Sequence, residues 1–506
     1  MRPPRCSWLL LVPTLLVAQP APHARIRAVM ERPEFAHAHW GLEVVDVASG
    51  RILMSHNGDR LFVPGSTTKV VTMATALQTL GPDHRFRTRV YRTGPVRDGI
   101  VQGDLVLVAS GDPNLSDRVR DGARYAFVDM DHSYGGMPLA GDPLATLRAM
   151  ARAVKAHGIT GVTGQVIVDA SLFPEGAREL GTRVVLSPMV VNDNLIDVVV
   201  TPGRRAGDPV TVTVSPQTSL LTVHATLTTA DSGRPPVVRM EEDSTNADHH
   251  VLTITGSVPV GPALNPRWPV PAPSRFGEIA FAEALTAEGV AAIPRLAARR
   301  VDPRALAARY DDSLLVAEHV SLPLIREATV LLKTSQNLHA SNFPLLLGAL
   351  GGPGRSGFDI ARAWLRSEGL DLDGAVQGDG AGGDAYFSPH FMTQLLTRLW
   401  TKPWAQDFKD ALPVLGRDGT LAQIQVTSPG AGHVHAKTGT FASVDPLNQR
   451  TLVHGKGLAG YFTSRGGREI ALAIYVNNVA VAQGDPALVA GQALGEIASI
   501  AWEVVR

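Results

Sequence analysis

Pro64-Gly65-Ser66-Thr67-Thr68-Lys69 opens the run PGSTTKVVTMATALQTLGP, residues 64–82, whose reading decides the fold. Val70, Met73, Leu77 and Leu80 recur at 3-4-3 spacing, which is one face of a buried helix. Gly81 then Pro82 end it, the first by its backbone freedom and the second because it cannot continue the helix. Ser66 is thereby placed at the helix N-terminus, where unpaired N–H groups and the macrodipole favour a developing negative charge. Lys69 lies three residues on and shares its face. In an apolar setting a lysine loses its proton more easily than in water. Such an amine is a base toward a hydroxyl that is otherwise a weak nucleophile. Ser-x-x-Lys is also what a plain serine-capped helix looks like, so the motif needs company.

Two later runs supply it. Ser335-Gln336-Asn337 falls between helical patterns at 324–333 and 338–350. A hydroxyl and a carboxamide two residues apart can relay a proton and bind a substrate amide, although Ser and Asn also populate ordinary turns. The third run is HVHAKTGTF, residues 433–441, which reads as a strand holding Lys437-Thr438-Gly439-Thr440. Gly439 leaves room for another backbone or a ligand. Lys437 and Thr438 offer a charge and a hydroxyl to a carboxylate, the competing reading being a solvated edge-strand lysine. In this order the three motifs form the signature of class A β-lactamases and penicillin-binding proteins.

The chain has 506 residues, with 47 basic and 47 acidic side chains and 44% hydrophobic content. That length implies about three domains, and the balanced charge argues against a nucleic-acid partner or an electrostatic membrane anchor. Residues 1–24 read as a signal peptide: Arg2 and Arg5, a short apolar core over 7–17, then AQPAPHA. The core is too short to span a bilayer, so no stable transmembrane anchor is expected. Cys6, the only cysteine, precedes that core and leaves the mature protein without thiols. Export without disulfides fits a bacterial envelope protein.

Strand patterns at 39–46 and 51–55 lead into the Ser66 helix, and further strands are expected at 86–91 and 105–109. Residues 117–141 read as an exposed polar loop, followed by a helix at 143–157 and a strand at 165–169. From about residue 192 short alternating strands separated by turn residues indicate an all-β module of about seventy residues. A proline-stiffened return linker precedes a helix at 279–289. The chain ends with strands at 457–463 and 469–477 and an amphipathic helix at 486–505, with Leu488, Ile497, Ile500 and Val504 inward. The expected architecture is α/β (α+β): the N-terminal hairpin beside the last strands in one antiparallel sheet covered by helices.

On these motifs, and on stretches such as SGDPNLS, NLIDVVVTPG and LPVLGRDGTL, the chain resembles the low-molecular-mass class C penicillin-binding proteins. These are the exported D-alanyl-D-alanine carboxypeptidase/endopeptidases. The long separation of Lys69 from Ser335 fits that family, which inserts two domains there. The resemblance implies a β-lactamase/transpeptidase-like catalytic domain at 25–92 and 316–506, an inserted α/β domain at 93–190 and 263–315, and a nested all-β domain at 191–262. It implies Ser66 as acylated nucleophile and Lys69 as its base, with Ser335 and Asn337 relaying protons and holding the substrate amide. Lys437 and Thr438 would grip the terminal carboxylate. Gly439 lies between them and Thr440, whose N–H would join that of Ser66 in an oxyanion hole. Peptidoglycan stem peptides are the implied partners, β-lactams the implied inhibitors, and the periplasm or cell wall the implied location. No cofactor or metal is expected.

The sequence departs from the family pattern in two places. Ser341 stands where an acidic residue is usual, and Asp379-Gly380-Ala381-Gly382-Gly383-Asp384 lacks two serines of the corresponding loop. Gly378, Gly380 and Gly383 also match G-x-G-x-x-G, but without a clear preceding strand or a helix at the third glycine this is no nucleotide site. With no H-E-x-x-H, zinc hydrolysis is not indicated, and His433 and His435 read as structural. Two alternatives stay open: a β-lactamase or esterase on the same fold, or a catalytically weakened wall-binding protein.

Overall fold

Thr68–Leu80 forms the expected helix, but it is buried all round from Thr68 to Leu77 rather than along one stripe. Ser66 sits in the single 3-10 turn Gly65–Thr67 that leads into it. The computed structural model describes residues 22–505 except 121, 123, 244–245, 247, 297–298 and 482–483. Residues 1–21 of the expected signal peptide therefore lie outside the described residues, and its last three begin the helix Pro22–Met30.

Beside the Ser66 helix runs a five-stranded antiparallel sheet. Its order is Ile52–His56, His39–Asp46, Glu469–Val479, Arg450–Thr463, Val434–Asp445, so the N-terminal hairpin does join the last strands. The central strand shows why. Ile470, Leu472, Ile474 and Val476 alternate with Ala471, Ala473 and Tyr475, and the two sets enter different cores. The branched set packs under the C-terminal helix Pro486–Val504, and the alanine-rich set lets the helix Pro389–Leu399 approach. Each fully buried Leu or Ile contributes about 1.5–3 kcal/mol. In the C-terminal helix Ile497 and Ile500 are buried and Val504 partly so, but Leu488 is 49% exposed. At 3.6 residues per turn it points opposite Ile497, and Ala490, Ala493 and Leu494 take the seam instead.

A second sheet orders Val166–Asp169, Leu105–Val108, Arg87–Arg92 and Leu315–Val320, with the first pair parallel. Helices Ala145–Ala156 and Pro273–Ala287 cover it. The latter starts well before the expected 279, because Pro273 is suited to a first helical turn. Between the two sheet edges come Leu195–Thr201, Thr211–Ser215, Leu221–Ala230, Val237–Asp243 and His250–Pro259, the run of short strands the sequence indicated. Leu221–Ala230 and His250–Pro259 pair in parallel, with Val237–Asp243 antiparallel on the far side.

The loop expected at 117–141 is exposed at Met130, Tyr134 and Met137 but not throughout. Tyr125, Asp131, His132 and Ser133 are buried, because their polar groups find protein partners in place of water. This segment folds back over the start of the Ser66 helix.

Candidate active site

Two of the three motifs meet at one amine. Lys69 Nζ lies 2.6 Å from Ser66 Oγ, 3.1 Å from Ser335 Oγ and 2.5 Å from Asn337 Oδ1. Ser335 terminates the helix Leu324–Thr334 in the left-handed region (φ 65°), where a residue with a β-carbon is uncommon. That conformation aims its hydroxyl at Lys69. Asn337 opens the next helix, Asn337–Leu350, behind the Gln336 N-cap.

The amide of Asn337 has its orientation fixed from behind. Its Nδ2 donates to Glu179 Oε1 at 2.9 Å and to Tyr134 Oη at 3.2 Å, so Oδ1 faces the lysine. Its backbone N–H donates to Asp131 Oδ2 at 2.8 Å, and the other oxygen of Asp131 accepts from Ser133 N and Oγ. None of Asp131, Tyr134 and Glu179 stood out in the sequence. Their partner is more than 150 positions away, and no local pattern carries that.

Burial lowers Lys69 to about 8, while the carboxylates of Asp131, Glu179 and Asp379 pull it upward. A neutral amine has two N–H groups and one lone pair. Asn337 Oδ1 and the Ser335 hydroxyl can take the two protons, which leaves the lone pair for the Ser66 O–H.

Lys437 is fully buried, and its Nζ donates to the backbone O of Thr438 at 2.8 Å. Burial, reinforced by the positive charges of Lys69 and Lys456, holds it well below the usual lysine range. The solvated edge-lysine reading is thus excluded. Thr438 Oγ1 lies 2.6 Å from Thr420 Oγ1. Gly439 is obligatory: a β-carbon there would come 1.9 Å from Pro64 O and 3.0 Å from Ser66 N. Gly65 mirrors it, since its β-carbon would meet Thr440 N at 2.5 Å. The serine turn and the strand edge are therefore in direct backbone contact.

Above these groups opens a cleft of about 630 Å³ lined by Ser66, Ser335, Asn337, Thr438 and Thr440 on its floor. Met130, Asp131, Tyr134, Glu179 and Leu180 form one wall, and Ala381, Gly382 and Gly383 contribute another. The 379–384 loop, which the family resemblance places at the site, is held by Asp379, whose carboxylate accepts from Gly382 N and Gly383 N. Gly380 packs so closely that a β-carbon would meet Ala340 O at 1.9 Å. A three-residue strand, Ala375–Gln377, does run into Gly378, contrary to the sequence reading, but Gly383 leads into the strand Ala385–Phe387 and opens no helix. Of the two histidines set aside, His433 stacks on Trp502 at 4.3 Å.

Below Asn337 the layers are tied by buried ion pairs. His339 bonds Glu327 and Asp193 through its two ring nitrogens, and His132 bonds Asp193 and Asp197. Burial alone would lower both imidazoles, but the carboxylates raise His339 to about 10 and His132 to about 9.

The chain matches the D-Ala-D-Ala carboxypeptidase 3 (S13) family over residues 23–494. It is 29% identical over 450 residues to the D-alanyl-D-alanine carboxypeptidase of Actinomadura sp. (strain R39), covering 84% of this chain and 77% of that protein. It is 21% identical over 459 residues to the D-alanyl-D-alanine carboxypeptidase DacB of Haemophilus influenzae, covering 86% and 85%. The crystal structure of penicillin binding protein 4 (dacB) from Haemophilus influenzae superposes with a TM-score of 0.70 at 18% identity, covering 93% of this chain and 98% of that one. A complex of that protein with a β-lactam is similar at a TM-score of 0.65. Fold and family define the class, a serine D,D-peptidase that acts on peptidoglycan. This chain belongs to the D-Ala-D-Ala carboxypeptidase 3 (S13) family. Among the described residues no helix is long and apolar enough to cross a membrane.

Proposed function

We propose that Ser66 is the nucleophile and Lys69 its base, in an acyl-transfer cycle on stem peptides ending in D-Ala-D-Ala. The observation that carries this reading is the convergence of Ser66, Ser335 and Asn337 on the single Nζ of Lys69. Lys69 takes the Ser66 proton as Oγ adds to the penultimate D-Ala carbonyl. The backbone N–H groups of Ser66 and Thr440 receive the oxyanion, a role supported by the Gly65–Thr440 contact. Ser335 passes the proton to the departing amine, the C–N bond breaks and D-alanine leaves. Water then cleaves the Ser66 ester and restores the hydroxyl. Asn337 positions Lys69 and the substrate amide, and Thr438 and Thr440 offer hydroxyls to the terminal carboxylate. Lys437 acts from beneath the strand through Thr438, in keeping with its burial.

A β-lactam acylates the same serine and clears slowly. The protein is exported to the periplasm or cell wall, a reading supported by the leader-like residues 1–24. With it goes the division into catalytic (25–92, 316–506), inserted (93–190, 263–315) and nested (191–262) parts. The pairing of Arg87–Arg92 with Leu315–Val320 and with Leu105–Val108 favours joins that lie a few residues outside 92 and 316. Incubation with a muropeptide pentapeptide and a cross-linked dimer, resolved by mass spectrometry, tests the activity. Loss of one alanine marks a carboxypeptidase and splitting of the dimer an endopeptidase. The absence of both products would refute the reading.

A further inference from the structure

The two motif lysines do not face the cleft. Lys69 and Lys437 are fully buried, whereas Lys456 is the one cationic side chain among the described residues that line it. Lys456 stands on Arg450–Thr463 directly opposite Thr440, so the two share a face of the sheet. Its Nζ donates to Thr440 Oγ1 at 2.7 Å. An ammonium only donates, so the Thr440 oxygen is the acceptor and its own O–H proton is turned to a different acceptor. Thr438, two residues along, presents its hydroxyl on the same face.

Lys456 makes no ion pair among the described residues. The acidic group acting on it is Asp485, the N-cap of the C-terminal helix. Burial lowers it to about 8, which leaves it mostly charged at neutral pH. The opposite wall carries Asp131 and Glu179. A substrate anion is repelled there and attracted at Lys456, so the charge layout of the cleft sets the direction in which a peptide with one free carboxylate lies.

We propose that Lys456 is a specificity-determining residue: its ammonium, with the Thr440 hydroxyl it orients, receives the free carboxylate on the leaving-group side of the scissile bond. This rests on Ser66 being the nucleophile, because Ser66 fixes where the scissile carbonyl lies relative to Thr440.

The test compares an N-acylated tripeptide ending in D-Ala-D-Ala with its C-terminal carboxamide, as the ratio of kcat/KM values. The native enzyme prefers the acid, and Lys456→Met lowers that ratio by roughly tenfold to a hundredfold. Lys456→Arg restores most of it. Taken within one preparation, the ratio is unaffected by the fraction of folded enzyme, and Lys456→Gln repeats the test if the Met variant is not recovered. Equal losses on acid and amide would mean that Lys456 only braces the strand, and unchanged rates on both would mean that it meets no carboxylate. Either result overturns the proposal. Failure of the Ser66 reading looks different: native enzyme that turns over neither peptide and takes no penicillin removes both.

Discussion

The floor and the wall of the cleft are built in opposite ways. The floor, Ser66, Lys69, Ser335, Asn337 and Thr438, comes from three short motifs whose residues are local to a turn, a helix end and a strand edge. The wall, Asp131, Tyr134 and Glu179, comes from two loops far from any motif and reaches the floor through Asn337. In the proposed cycle the floor holds the reacting groups, and the wall sets their orientation and charge. Asn337 belongs to both, since one end of its amide meets Lys69 and the other meets Glu179.

If that division is right, damage to the floor costs far more than damage to the wall. Lys69→Met removes the base while Ser66 stays in place, and acylation by benzylpenicillin, followed by stopped-flow or gel labelling, is expected to slow on the order of 10³-fold. Asp131→Asn leaves the base but removes a charge that raises it. In the proposed cycle Lys69 acts as the neutral amine, so native acylation is expected to rise as pH climbs through about 8. In the Asp131 variant this limb moves to lower pH, and the rate at its plateau falls roughly tenfold through the lost bond to the Asn337 N–H. An unshifted limb would break the link between wall and floor.

His339→Gln probes the tie beneath. The folded His339 titrates near 10, against 6.5 for an ordinary imidazole. A group raised by folding contributes stability that is fully present below its unfolded value and lost as pH rises through its folded value. The variant should therefore be less stable by about 3 kcal/mol at pH 7, because Glu327 and Asp193 lose their cation, with the deficit shrinking toward pH 10. Denaturant melts at the two pH values check this, with only a small change in acylation rate in the folded fraction.

How much was readable in the sequence follows from the same contrast. Chemistry demands particular residue types at fixed short spacing, so Ser66-x-x-Lys69, Ser335-x-Asn337 and Lys437-Thr438-Gly439 were legible, and the sheet that carries the last of them followed from alternating patterns. The segment around Asp131 was misread because polar, Gly-rich sequence looks the same whether its groups meet water or each other. Leu488 was misplaced for a smaller reason: an apolar residue in a helix does not by itself say which side meets the sheet. Lys456 went unnoticed because its significance lies in standing opposite Thr440, and a register is a property of two strands.

The central claim is that one hydroxyl is acylated. The protein is treated with benzylpenicillin, digested and sequenced by tandem mass spectrometry. The account predicts a single penicilloyl group on Ser66, absent from Ser66→Ala. A penicilloyl group on any other residue, or one that persists in Ser66→Ala, would contradict it.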